Sequence, residues 1–464
     1  LGETILLSLL ALVLAIVLVE LALPYVNNLS LRDISLPVFS KPSFLLIILA
    51  STVMVGVISG IYPALFLSSF QPVKVLKGSV DTGKNKGTLR NILVVGQFTS
   101  AVFLMIATVF VVKQLKFMQE KDPGFTRDQV VTIPLDRISG QKYQVFKQAL
   151  LGNTLVAGVT ASQDQLGSHL DQSGVDFKYN DSPIRNLAAT QLIVDDDYLK
   201  VYDIKMAKGK NFSPEKSANG REYIINEAMA KELLKDHPKA TQESLIGQRF
   251  GYDSLGVITG IAKNFNFNSL HYKVENLFIV NQDEWGFSTV SVKIKTGKSK
   301  QAVEFIKATW ERLIPGYPFE YQFLDDHFAE VYRADNQVSK ITGILAGLAI
   351  LISCLGLFGL ASFSAEKRIK EIGVRKVLGA SVQNIVLLLS GHFIKLVLIS
   401  NLLAWPLAWY FISRRLQDFA YHIDITLGTF VLVALISVLI ALVTISFQSI
   451  RAAIANPVKS LRSE

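Results

Sequence analysis

The apolar positions of this chain gather into six long runs from which charge is almost excluded. Thr4–Leu23 holds one charge, Glu20, and Ile385–Ile412 holds one, Lys395. Phe44–Ser69, Asn91–Val112, Ile341–Ala365 and Ile425–Ile450 hold none. A membrane-spanning helix needs ~20 consecutive, mostly apolar residues. A core helix of a water-soluble protein seldom stays free of charge that long. The pattern therefore predicts an α-helical integral membrane protein with six transmembrane helices.

Between the third and fourth runs the pattern changes. Gln129–Pro134, Gly256–Ile261 and Ser288–Ile294 read as strands. Asn226–Lys235 and Ser299–Leu313 carry apolar residues at helical spacing. An α+β domain inserted between two spans is expected, bounded by Asp122-Pro-Gly124 at its start and by Asp325-Asp326 at its end. Lys113–Lys121 and His327–Lys340 read as helical extensions of the neighbouring spans, a stalk between membrane and domain.

Composition supports this reading: half of the 464 residues are hydrophobic and 18% are charged, against ~25% in ordinary soluble domains. Charge orients the chain. The formal charge of +9 would suit a nucleic-acid partner if it were clustered. Lys116–Gln337, however, holds 27 basic and 29 acidic residues, so the positive excess lies in the membrane part. Gln71–Arg90, Glu366–Asn384 and the tail together hold 13 basic residues, and the opposite short loops Pro24–Ser43 and Ser413–Asp424 hold 4. The positive-inside bias places the 13 in the cytoplasm and the inserted domain outside. It also removes the motive for nucleic acid.

An internal repeat is visible. Phe70-Gln-Pro72-Val73-Lys74-Val-Leu76-Lys77 and Ala455-Asn-Pro457-Val458-Lys459-Ser-Leu461-Arg462 share the spacing Pro-Val-Lys-x-Leu-basic, each after a charge-free span. A duplicated membrane unit accounts for this. On that reading 1–77 closes a first unit and 78–90 is a cytoplasmic linker. A second unit then comprises 91–121 (helix and stalk), 122–326 (outer domain), 327–365 (stalk and helix), 366–384 (cytoplasmic segment) and 385–464 (two helices and tail). The chain reads as part of a longer protein.

Chemistry is sparse. Gly78–Asn85 fits G-x-x-x-x-G-K but ends in Asn85 where a phosphate loop needs a hydroxyl, and no strand precedes it. It reads as a linker. Asp195-Asp196-Asp197 reads as a solvated loop or turn rather than a cation site. Gly343-x-x-x-Gly347 has the spacing that lets membrane helices pack closely. The lone Cys354 lies inside a span. No catalytic, cofactor-binding or metal site is expected, and no polar set lining a cavity is evident within the spans. The most informative segment is Glu366–Ser381, where Ile369, Ile372 and Leu378 interleave with five basic residues. It suits either an amphipathic helix on anionic lipid or a docking helix for a cytoplasmic partner.

Glu371-Ile372-Gly373-Val-Arg375-Lys376-Val-Leu378-Gly379-Ala-Ser381, with Glu366, Lys367, Arg368 and Ile369 before it, closely resembles the signature of FtsX-like permeases, the membrane subunits of MacB-type ABC transporters. The tail Asn456-Pro457-Val458-x-x-Leu461-Arg462 is similar to that family's usual ending. The resemblance implies a MacB-type periplasmic domain and a bacterial inner-membrane location. It also implies a separate cytoplasmic ABC ATPase whose closure is received at Glu366–Ser381, with transmission through the spans to the outer domain. Export or extraction of a drug, peptide or lipoprotein is implied, with a periplasmic adaptor and outer-membrane channel or another periplasmic protein as further partners. The alternative is a non-transporting transducer that controls a periplasmic hydrolase.

Overall fold

A computed structural model of the chain describes residues 1–30, 33–36, 41–68, 86–168, 170–213, 221–252, 255–281, 286–367, 371–372, 374–375 and 378–454. Several sequence motifs lie outside these residues: the repeat Phe70–Lys77, the linker Gly78–Asn85, and Asn456, Pro457, Val458, Leu461 and Arg462 of the tail. Arg368, Ile369, Gly373 and Lys376 also lie outside them.

Among the described residues six helices are long and apolar enough to cross a membrane. They are Gly2–Ser30, Pro42–Ser68, Lys86–Glu120, Arg333–Lys367, Val382–Leu416 and Leu427–Ile454. Three of them, the third, fourth and fifth, have 35 residues each. At ~1.5 Å per residue that is about 52 Å, well beyond a hydrocarbon core of ~30 Å. The remaining three have 27 to 29 residues. The excess length of the three long helices is what a stalk requires.

The chain divides into two compact units. The first comprises 1–98, 351–400 and 441–464. Within it the first two membrane helices pack through glycine. A Cβ added at Gly56 would come 2.9 Å from Ile5 Cα, and one at Gly60 would overlap the Thr4 hydroxyl. Small residues let backbones approach where lipid supplies no hydrophobic drive between helices. Gly343 and Gly347, the spacing singled out in the sequence, make no such approach among the described residues: a Cβ at Gly347 would meet nothing within 4 Å, and one at Gly343 would only touch Thr108 at 3.8 Å.

The second unit comprises 99–350 and 401–440. Among the described residues its outer domain has 11 strands: β1 (Val130–Pro134), β2 (Val156–Ser162), β3 (Gln172–Lys178), β4 (Arg185–Val194), β5 (Met206–Gly209), β6 (Glu222–Asn226), β7 (Arg249–Gly251), β8 (Gly256–Ala262), β9 (Leu277–Asn281), β10 (Thr289–Ile294) and β11 (Gln322–Phe323). β11, β1, β10 and β2 form an antiparallel sheet. β2 pairs with β4 at Ser162 and Val194 and so joins this part to the rest of one sheet, whose ladders run β4–β3–β7–β8–β6–β9 and return to β4, with β5 on β8. Six strands thus close on themselves, which removes exposed edges.

Alternation along β6 and β9 buries two different faces. Tyr223, Ile225, Phe278 and Val280 enter one core cluster, which also takes Phe146 and Trp310. Ile224, Leu277 and Ile279 enter a second, with Phe125, Phe265, Tyr202 and Tyr332. The period of 2 explains the split. The second cluster also contains Leu115 and Met118 of the third membrane helix.

Two further readings are revised. The segment His327–Lys340 is not one extension of a span. Leu324–Val331 is a separate helix whose Leu324 and Phe328 are buried in the second cluster, and the membrane helix starts anew at Arg333. The membrane helices also bury polar groups. In the second unit Asn401 Nδ2 donates to Ser437 Oγ at 3.0 Å, and in the first Ser400 Oγ donates to Val95 O at 3.1 Å. These bonds bind helix to helix rather than line a channel.

Candidate functional site

The signature segment resolves into a structural corner and an exposed face. The helix Arg333–Lys367 ends with Glu366 exposed. Glu371 and Arg375, one helical turn apart, form an ion pair at 2.8 Å, and Ile372 between them is buried. The Ala380 N–H donates to Arg375 O at 2.9 Å and the Leu378 N–H to Val374 O at 3.0 Å. Gly379 has φ +87°. This is a left-handed helix stop, a conformation glycine adopts without a Cβ penalty. Ser381 then caps the helix Val382–Leu416: the Asn384 N–H donates to Ser381 Oγ at 3.3 Å. Gly379 and Ser381 therefore need no partner to explain them. Among the described residues of the segment, Leu378 is 79% exposed, and Val374 and Arg375 are half-exposed.

A second candidate element joins the outer domain to the membrane helices, wholly within the second unit. Gln114, buried near the end of the third membrane helix, donates through Nε2 to Tyr421 O at 2.8 Å and accepts from the Ile423 N–H at 3.0 Å. Its amide thus holds the loop 417–426. Lys113 Nζ donates to Thr429 Oγ1 at 2.8 Å. Lys121 Nζ lies 3.4 Å from the centroid of the Tyr421 ring, and burial lowers its pKa.

His271 is where three elements meet. Its ring stacks on Phe419 at 5.0 Å, and its carbonyl accepts from the Ala420 N–H at 3.1 Å. Its Nε2 stands 2.9 Å from Asp335 Oδ2 in the first turn of the fourth membrane helix. The neighbouring Leu270 N–H donates to the Tyr332 hydroxyl at 3.1 Å. Nothing in the sequence pattern marked His271, Asp335 or Phe419. Gln114 was not marked either, since it follows Lys113 just past the apolar run that ends at Val112.

The acidic triplet is the turn into the helix Tyr198–Val201 that the sequence suggested, with Asp197 42% exposed but Asp195 turned inward. Asp195 is buried and accepts from Lys147 Nζ at 2.7 Å, and also from the hydroxyls of Tyr143 and Thr160. Lys147 also pairs with Asp197 at 2.7 Å. Burial pulls the Lys147 pKa down, but the two carboxylates outweigh it and the net shift is upward. Burial, then the Asp195 charge, pushes the Tyr143 phenol up. The cluster ties the helix Tyr143–Leu151 to the sheet.

With this geometry in view, comparison with known families defines the class. Residues 94–306 match the MacB-like periplasmic core domain, and residues 343–457 match the FtsX-like permease C-terminal region. These two stretches are similar to the two parts of ABC transporter permeases of the MacB/FtsX type, a MacB-like domain and an FtsX-like C-terminal region. The uncharacterized ABC transporter permease YknZ of Bacillus subtilis (strain 168) is 25% identical over 239 residues, 46% of this chain and 58% of that protein. The macrolide export ATP-binding/permease protein MacB of Chromobacterium violaceum is 21% identical over 189 residues, 40% of this chain and 29% of that protein. The chain thus spans 58% and 29% of the lengths of these curated relatives. Among solved structures, the periplasmic region of MacB from Actinobacillus actinomycetemcomitans aligns with 46% of this chain and 97% of its own, at 12% identity and a TM-score of 0.33.

Proposed function

We propose that this chain is an inner-membrane subunit through which a separate cytoplasmic ATPase moves the periplasmic domain, releasing an envelope cargo such as a drug, peptide or lipoprotein. The observation that carries this reading is the way the third membrane helix ends. Leu115 and Met118 are buried in the same cluster as Phe125, Phe265 and Tyr332 of the outer domain. Packed interiors deform little, so tilting of that helix carries the domain with it. The domain is a rigid attachment rather than a tethered one.

The receiving surface is assigned to Glu366–Ser381. Its exposed Leu378 and Val374 flank Arg375, an apolar pair with a charge suited to a groove on a partner protein. The positive-inside bias puts this face in the cytoplasm. The test is co-purification in mild detergent, comparing wild type with Arg375→Glu plus Lys376→Glu. Loss of an associated ATPase with membrane insertion intact supports the reading. An unchanged complex overturns the assignment and leaves this segment as a lipid-surface or folding element.

A further inference from the structure

We infer that an acyl chain of a bilayer phospholipid occupies a cavity enclosed by the outer ends of the third, fourth and fifth membrane helices. The cavity measures about 350 Å³ and lies wholly within the second unit. Its wall is aromatic: Phe103 and Phe110 from the third helix, Phe411 from the fifth and Phe419 from the loop that follows. Volumes of ~300–1,000 Å³ with mostly apolar walls are those of small-molecule sites.

The lining decides the chemistry of the occupant. Three polar side chains reach the cavity, Gln114, Asp335 and Arg415. Each is already engaged. Gln114 holds Tyr421 and Ile423, Asp335 faces His271 at 2.9 Å, and Arg415 pairs with Asp418 at 2.9 Å. Water in a cavity needs two to four polar partners, and Gln114 and Asp335 are committed to the protein, while Arg415, 72% exposed, keeps N–H donors that suit a lipid headgroup. An apolar chain loses nothing there. Helix association in lipid depends on van der Waals contact, so a chain that fills this space adds contacts the three helices do not make with one another.

The position names the source. Val338 and Phe411 at the rim are 54% and 55% exposed, and both belong to membrane-spanning helices. The rim therefore opens toward lipid. Arg414 and the lining Arg415 lie in the last turn of the fifth helix, at the level where headgroups lie and cationic side chains gather. The leaflet on the side of the outer domain supplies the chain.

The experiment uses the full chain in vesicles of phosphatidylethanolamine and phosphatidylglycerol doped with a phospholipid bearing a photoactivatable diazirine in one acyl chain. Met118 is only 1% exposed and lines the cavity, so label reaches it only from a chain that has entered. Labelling of Met118 in wild type is expected. Ala107→Trp, which puts an indole into the cavity, should reduce it to background. Leu435 and Leu439, exposed on the last helix, should stay labelled in both and report insertion. If Ala107→Trp does not insert, Val111→Phe serves the same purpose. Met118 unlabelled in wild type while Leu435 and Leu439 are labelled overturns the inference. So does Met118 labelling that persists in an inserted, cavity-filling variant.

Discussion

His271 of the outer domain and Asp335 of the fourth membrane helix stand with Nε2 and Oδ2 2.9 Å apart, and this pair closes the joint between domain and membrane. A ring N–H donated to that carboxylate fixes the imidazole plane against Phe419. Both side chains are about 30% exposed, so solvent screening holds the pair to about 1 kcal/mol. A double-mutant cycle of His271→Ala and Asp335→Ala, read by thermal unfolding, should give a coupling of that size. Additive effects would mean the two residues act independently.

The buried Lys147–Asp195 pair should matter more. Removing one member of a buried pair leaves an uncompensated charge, at a cost of ~3–5 kcal/mol. Asp195→Ala leaves Lys147 with Asp197 alone and takes the acceptor from the Tyr143 and Thr160 hydroxyls, so the unfolding free energy should fall by about 3 kcal/mol, the lower end of that range. Asp195→Ala with Lys147→Met should recover part of the loss. An unfolding free energy within ~0.5 kcal/mol of wild type for the single variant would mean the pair is open to solvent.

Glycines at the same spacing should respond oppositely. Gly347→Ala meets no neighbour and replaces a poor helix former, so stability is retained or rises by up to ~1 kcal/mol. Gly60→Leu collides with Thr4 and Leu1 and should separate the first two membrane helices. Thermal stability in a single detergent ranks the two variants. The reverse ranking would refute the packing assigned here.

Acid should weaken the outer domain through His327. Burial holds its pKa below the ordinary histidine value, against a smaller upward pull from Glu330. The unfolded chain then binds the proton more readily. His327 leaves stability intact above the unfolded pKa of ~6.5 and removes it progressively as pH falls toward the lowered folded value. Wild type should lose more thermal stability than His327→Gln between about pH 7 and 5. Parallel curves for the two proteins would exclude this role.

Much was legible in the sequence because it depends on short-range pattern. Six runs with at most one charge each correspond to six helices long and apolar enough to cross a membrane, since a helix satisfies every backbone hydrogen bond of such a run within the segment itself. Alternation marked β1, β8 and β10, and helical spacing marked Ser299–Leu313 to its ends. Gly379 and Ser381 were visible as part of a signature, but only the φ of +87° and the Asn384 bond show that they shape a corner.

What the sequence alone determined is the class of each segment, because hydrophobic period and charge act over neighbours in the chain. Tertiary structure decided which residues meet. Closure of six strands through β4, the anchoring of Leu115 and Met118 among aromatics as distant as Tyr332, and the meeting of His271, Asp335 and Phe419 join residues far apart in the chain. The choice of Gly56 and Gly60 over Gly343 and Gly347 was likewise made by packing. Identical spacings read identically along a chain, and only the surface that arrives opposite distinguishes a contact from an open face.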